Sequence, residues 1–232
     1  MSVVYLIPSV LSENATHTIL PYTIDAVKDC QVFFVENERT ARRFLKSIWK
    51  EMVIDNYQWF TIHKAEDNIK KDFSACIKEG KNIGIISEAG CPGIADPGQI
   101  LIALAHKEGA IVKPLVGPSS ILLALMASGL NGQQFRFNGY LPIDNAERMK
   151  SLKQLEQESA RKNCTEIFIE TPYRNNQLLE TIIKTCQPST RLCVAADVTS
   201  ANEWIRTRTL AEWKKNTEDL HKRPAIFCLL AQ

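Results

Sequence analysis

The nine residues after Ala89 are Gly90, Cys91, Pro92, Gly93, Ile94, Ala95, Asp96, Pro97 and Gly98, and they hold two prolines and three glycines. Such a stretch forms neither helix nor sheet. It follows the apolar run 83–86, so it marks the end of a strand, which is where open α/β sheets hold ligands. Glycines there let the backbone come close to a bound molecule. The competing reading is an ordinary β–α connection, but those usually need only a few residues. Neither G-x-x-x-x-G-K-[ST] nor G-x-G-x-x-G is present, so this is not a phosphate loop.

A second stretch is Pro114-Leu-Val-Gly-Pro-Ser-Ser-Ile121. A strand runs into Gly117 and Pro118, then Ser119 and Ser120 open an apolar helix. Those hydroxyls can cap the helix or, with the helix-start amides, receive the carboxylate of a bound molecule. In the third stretch, Phe168-Ile-Glu-Thr-Pro-Tyr-Arg174, a carboxylate (Glu170) and a guanidinium (Arg174) emerge just past an apolar run. An ordinary β–α turn explains that pair equally well. Arg39 and Arg42 could hold a phosphate, although a solvated helix face is the commoner use of such residues.

The elements that must position these groups follow from hydrophobic periodicity. The runs 3–6, 32–35, 83–86 and 111–116 are β-branched-rich and nearly unbroken, as strands covered on both faces should be. Between them, 38–50 places Ala41, Phe44, Leu45 and Ile48 on one helical face, and 66–79 does so with Ile69, Phe73, Cys76 and Ile77. Gly80 follows as a C-cap. Residues 100–107 repeat the theme before Gly109. This β-α-β-α order predicts a mostly parallel sheet with helices on both faces. Beyond it, 121–127 reads as a buried helix, 135–140 as a strand, 145–162 as a charged helix with Leu152 and Leu155 inward, and 175–185 as a helix. Strands are expected at 167–169, 192–195, 204–209 and 225–230, with 204–209 half-exposed and antiparallel. The reading is an α/β protein of two domains, 1–115 with a mostly parallel sheet and 116–232 with a mixed one.

Composition limits the partners. The chain has 232 residues, 45% hydrophobic and 23% charged, enough to bury two cores without disulfides. A net charge of +2 sets up no strong field for nucleic acid or membrane; it permits RNA binding without indicating it. Seven cysteines, with no C-x-x-C pair, read as free thiols in a reducing cytosol. The histidines have no metal-ligand spacing, and no metal is expected. No signal peptide or membrane span is expected either, so the protein is expected in the cytoplasm. Trp49, Trp59 and Trp204 could lie in an interface or in a core.

Four segments, taken in order, resemble the tetrapyrrole methylase superfamily, in particular its branch of 16S ribosomal RNA ribose 2′-O-methyltransferases. They are Ser87-Glu-Ala-Gly-Cys-Pro-Gly-Ile-Ala-Asp-Pro-Gly98, Gly117-Pro-Ser119 running on to Ala127-Ser-Gly-Leu130, Phe137-Asn-Gly-Tyr-Leu-Pro142, and Ile169-Glu-Thr-Pro-Tyr-Arg174. Glu36-Asn-Glu-Arg-Thr40 is similar to a stretch the branch carries after its second strand. The resemblance implies S-adenosylmethionine as cofactor, held in a cleft between two α/β domains. Gly90, Cys91, Pro92, Gly93 and Ile94 would cradle its methionine portion, and Ser119 and Ser120 would continue that wall. Leu11 would line the first loop. Glu170 and Thr171 would stand near the adenosine, with Ala196 and Ala225 from later strands.

The resemblance further implies methylation of a ribose 2′-hydroxyl in ribosomal RNA, and a homodimer. A hydroxyl acceptor needs a base, for which Glu88, Asp96 and Glu170 stand beside strand-end loops; each could instead cap a helix or pair with an arginine. Arg39, Arg42 and Arg174 would meet RNA phosphates. Two departures from the branch are present: the first loop, Pro8-Ser-Val-Leu-Ser-Glu-Asn14, lacks glycine, and the chain stops at Gln232 without an extra C-terminal segment. A methyltransferase of small or tetrapyrrole-like molecules, or a non-catalytic S-adenosylmethionine-binding protein, remains compatible with the residues.

Overall fold

Short strands that are apolar on both faces dictate a sheet covered on both sides. In the first half of the computed structural model these are β1 (Val3–Ile7), β2 (Val32–Val35), β3 (Gln58–Thr61), β4 (Ile83–Ile86) and β5 (Ile111–Pro114). They alternate with α1 (Tyr22–Asp29), α2 (Glu38–Ile48), α3 (Glu66–Lys78) and α4 (Gln99–Lys107). The structure describes residues 1–62, 66–96 and 98–231; Pro97 of the glycine- and proline-rich loop lies outside them. Every strand pair of this sheet is parallel, in the order β3-β2-β4-β1-β5. Phe33 and Val35 join Tyr5, Ile7, Phe44 and Leu45 in a core on one face. Val32 and Phe34 join Val4, Phe73, Ile83 and Ile85 on the other, as the two-residue period of a strand requires. Gly84 pairs with Phe33 across the strands, and a Cβ there would fall 2.6 Å from the Phe33 ring. The glycine makes room for that ring, which stacks on Trp59 at 4.9 Å.

The second half contains α5 (Ser120–Ser128), β6 (Phe135–Tyr140), α6 (Asn145–Lys162), β7 (Thr165–Ile169), α7 (Asn175–Thr185), β8 (Arg191–Ala196), β9 (Trp204–Thr209), α8 (Leu210–Trp213) and β10 (Ala225–Leu230). Its sheet runs β6-β7-β10-β8-β9. The β6–β7 pair is parallel and the others antiparallel, so the sheet is mixed. One face packs Phe168, Leu192, Val194, Phe227 and Leu229 against Leu152, Leu155, Leu178, Ile182 and Trp213. The Trp213 indole N–H donates to the Leu192 carbonyl at 2.9 Å, satisfying its polar edge inside the core. Helix α5 packs on β8, β9 and β10, and the Thr207 hydroxyl donates to the Ser128 carbonyl at 2.7 Å. By internal packing the chain divides into Met1–Ser119 and Ser120–Gln232.

Several expectations change. Helix α5 is buried along Ala124, Leu125 and Ser128 only; Leu122 and Met126 are exposed, because one side alone meets the sheet. The strand expected over 111–116 stops at Pro114, since the Val116 N–H turns to the Tyr22 hydroxyl at 2.6 Å. Helix α2 ends at Ile48, two residues early. Helices α1 and α8 and strand β3 are additional to the expected elements. Trp49 and Trp59 pack against one core of the first unit, and Trp204 against the core of the second. The seven cysteines are free thiols. No helix among the described residues is long and apolar enough to cross a membrane.

Candidate functional site

Strand β4 lies between β2 and β1, so its following loop leaves the middle of the sheet's C-terminal edge. It is tied at once to the loop after β1: Ser9 N–H donates to the Gly90 carbonyl at 2.8 Å, and Gly90 N–H to the Ser9 carbonyl at 3.2 Å. Gly90 has φ +73, and a Cβ on it would lie 3.4 Å from Leu11 Cδ2 and 3.6 Å from the Pro118 carbonyl oxygen. The Cys91 thiol reaches the same carbonyl at 3.5 Å. Gly117 is held still more tightly, since a Cβ there would fall 2.1 Å from Pro8 Cβ. Three loops, after β1, β4 and β5, therefore converge on Leu11, Gly90, Cys91 and Pro118. Gly93 takes φ +80, and a Cβ on it would meet Ile102 at 2.8 Å, so this glycine serves the turn and its packing on α4. Pro92 is buried, whereas Ile94 is exposed.

Carboxylates gather beside this cradle. Glu36, directly after β2, accepts the Glu88 N–H at 3.0 Å. Asp96 is raised from 3.8 to about 6, chiefly by burial and next by Glu36, with a smaller push from Glu88; a hydrogen bond from Ser87 works the other way. It borders a cavity of about 120 Å³ lined also by Ile62, Ile69, Gly98, Gln99 and Leu101. The Cys91 thiol is pushed up by burial and by Asp96. A carboxyl that titrates near 6 can take or give a proton at neutral pH. Glu36 was not among the residues that spacing singled out; only the parallel pairing of β2 with β4 brings it to Glu88.

In the second unit, Glu170 follows β7 and is 5% exposed. Its Oε1 accepts Arg174 Nε at 3.0 Å, Arg174 Nη2 at 2.7 Å and the Thr171 N–H at 2.6 Å. Glu170 Oε2 and Asn175 Oδ1 are buried without a hydrogen-bond partner among the described residues. Ala225 pairs with Ala196 across β10 and β8, and both are buried at the same sheet edge as Glu170. Ser120 opens α5. Arg39 is exposed, whereas Arg42 is drawn onto Glu38 and lies 5.0 Å over the Trp59 ring. Arg174 is engaged by Glu170 rather than presented to solvent alone. Spacing did not single out Asn175, Pro8 or Tyr22.

Two α/β units of this kind, with an all-parallel sheet followed by a mixed one, and a glycine-rich cradle at the strand ends, define the class. The family of Tetrapyrrole (Corrin/Porphyrin) Methylases matches residues 21–214, and the chain belongs to it. It is 33% identical to the Ribosomal RNA small subunit methyltransferase I of Escherichia coli O157:H7 over 74% of this chain and 60% of that protein. The namesake of Buchnera aphidicola subsp. Acyrthosiphon pisum is 28% identical over 99% of this chain and 79% of its own length. Among solved structures, the methyltransferase CobJ superposes with a TM-score of 0.65 at 16% identity, covering 99% of this chain and 94% of CobJ. At that identity the likeness concerns the fold.

Proposed function

We propose that this protein is an S-adenosylmethionine-dependent methyltransferase acting on a ribose 2′-hydroxyl of small-subunit ribosomal RNA. The observation that carries the reading is the cradle at Gly90, where a residue without a side chain, at φ +73, meets Leu11 and the Pro118 carbonyl at the ends of three strands. Cys91, Pro92, Gly93, Ile94, Ser119 and Ser120 extend this wall in the proposal. Glu170, with its buried unpartnered oxygen, Thr171, Ala196 and Ala225 form the part for the nucleoside. The cofactor, when bound, supplies an electrophilic methyl group on sulfur. Alignment is then the main demand on the protein, and the convergence of three loops provides rigid walls.

A hydroxyl acceptor must lose a proton. Asp96 is the base in this reading, because it is half-buried among carboxylates and lies near 6. Glu88 tunes it, and Glu170 serves as a positioning group, since Arg174 and the Thr171 amide donate to its Oε1. The ribosomal RNA acceptor follows the names of the similar proteins, with Arg39 as a phosphate contact. We infer a homodimer too, with the exposed Met126 of α5 available to a second copy, and a cytoplasmic location in keeping with seven free cysteines.

The test is transfer of labelled methyl from S-adenosylmethionine to small ribosomal subunits from cells lacking the gene, with ribose methylation mapped. Label on a ribose oxygen is expected. Transfer only to a small tetrapyrrole-like acceptor, or tight cofactor binding with no transfer to any acceptor, would overturn the ribosomal assignment.

A further inference from the structure

We propose that Tyr173 is a stacking platform for an unpaired base of the substrate RNA. The inference deepens the RNA reading above and rests on it. Tyr173 stands in the turn between β7 and α7 with 70% of its surface exposed. Exposure alone would mean little, but the turn that carries it is fixed from two sides. Within it, the Arg174 N–H closes onto the Thr171 carbonyl at 2.9 Å, and the Arg174 guanidinium grips Glu170. From outside, the loop before β10 is stapled to it: the Lys222 N–H donates to the Pro172 carbonyl at 3.0 Å.

That second loop is itself held to the start of α7. Leu220 N–H donates to Asn176 Oδ1 at 2.7 Å, and Asn176 Nδ2 donates to Asp219 Oδ1 at 2.7 Å. The His221 N–H donates to the same Asp219 oxygen at 2.9 Å. The result sets the His221 ring edge-on to Tyr173, with centroids 5.9 Å apart and planes at 74°. Lys222 takes φ +62 in the course of this, a conformation that an L side chain rarely adopts and that tends to persist where function requires it.

The chemistry of the surroundings selects the partner. A docking patch for another protein would be a contiguous apolar area. Tyr173 instead has His221 edge-on to it, and the polar Asn176, Asp219 and Lys222 lie on the two loops that hold it. Lys222 supplies a cation on these loops, the Arg174 charge is matched by Glu170, and Asp219 accepts from Asn176 and His221. A held aromatic with a cation on the adjoining loop is how proteins receive unstacked bases.

The experiment compares KM for small ribosomal subunits from cells lacking the gene, alongside S-adenosylmethionine affinity by calorimetry, in the full chain. Tyr173→Ala should raise KM about tenfold, with Tyr173→Phe within about twofold of the wild type and Tyr173→Leu close to the alanine variant. Cofactor affinity and molecular mass in solution should be unchanged in all three. An unchanged KM in Tyr173→Ala, equal rescue by leucine and phenylalanine, or a mass change in place of a KM change would overturn the proposal. Wild-type protein that methylates no ribosomal RNA would instead overturn the underlying reading, before any variant is compared.

Discussion

The two units each bring a half-buried or buried carboxylate to a strand end, and treat it oppositely. Asp96 sits beside Glu36 and Glu88, and it is raised to about 6. Glu170 is buried deeper, yet three donors converge on one of its oxygens. Burial alone therefore does not decide what a carboxylate can do. Burial, reinforced by neighbouring carboxylates, makes Asp96 a group that exchanges a proton near neutrality, while a guanidinium four residues away makes Glu170 a fixed acceptor.

The largest effect should come from breaking the fixed one. Arg174→Ala leaves a buried carboxylate with only the Thr171 amide and should cost about 3 kcal/mol of stability or more. Urea denaturation checks it, and a loss below about 1 kcal/mol would mean the pair is screened as a surface pair is. Next is Asp96→Asn, expected to lower kcat about 100-fold with folding intact. In the wild type, kcat should rise with pH through about 6 as Asp96 loses its proton; the variant should lack that limb. The stability effect has the opposite sense. Between 3.8 and about 6 the folded chain holds a proton that the unfolded chain has released, so stability falls as pH rises through that window. Asp96→Asn should thus be more stable than wild type above pH 6 and equal to it below about pH 4. Calorimetric scans at both ends would expose a wrong sign.

Gly117→Ala tests the cradle rather than its charges. The new Cβ would meet Pro8, and a cost of about 2 kcal/mol from overpacking is expected together with weakened cofactor binding. Full-strength binding in a folded variant would separate the loop after β5 from the site. The smallest effect concerns the arginines. If both touched phosphate, each alanine variant would reduce the salt slope of RNA binding by about 1. Because Arg42 lies on Glu38 and Trp59, Arg39→Ala should show that change and Arg42→Ala should not. Filter binding at several salt concentrations would distinguish the two.

The strong periodic signals were legible without coordinates. Strands β2 and β4, helices α6 and α7, and strands β6, β9 and β10 lie where their apolar patterns place them. The missed elements have weak patterns for physical reasons. Helix α1 buries only Thr23, Ala26 and Val27, small or polar residues that leave little periodic trace. Strand β3 is an edge, paired with β2 alone and half-exposed. In the candidate site, local composition drew attention to 90–98, while 169–174 stood out through the family resemblance. It could not reveal Glu36 against Glu88 or Pro8 against Gly117, because those contacts join separate strand ends. The second half of α5 illustrates the converse error: an all-apolar helix leaves Met126 79% exposed, since composition does not say how many neighbours a helix will find.

The position of β4 has a consequence for how the chain assembles. It pairs with both β1 and β2, which do not pair with each other. Strands β1 and β2 therefore have no native seam between them until residues 83–86 arrive and insert. A nascent chain ending before Ile83 would hold only the β2–β3 pair of its sheet, a long-range arrangement expected to close slowly. The segment that closes the sheet also carries Ser87 to Gly98 behind it, so the cradle cannot form before β4 has inserted. Ribosome-stalled chains of increasing length, probed by protease, should pass abruptly from sensitive to resistant once β4 has cleared the exit tunnel.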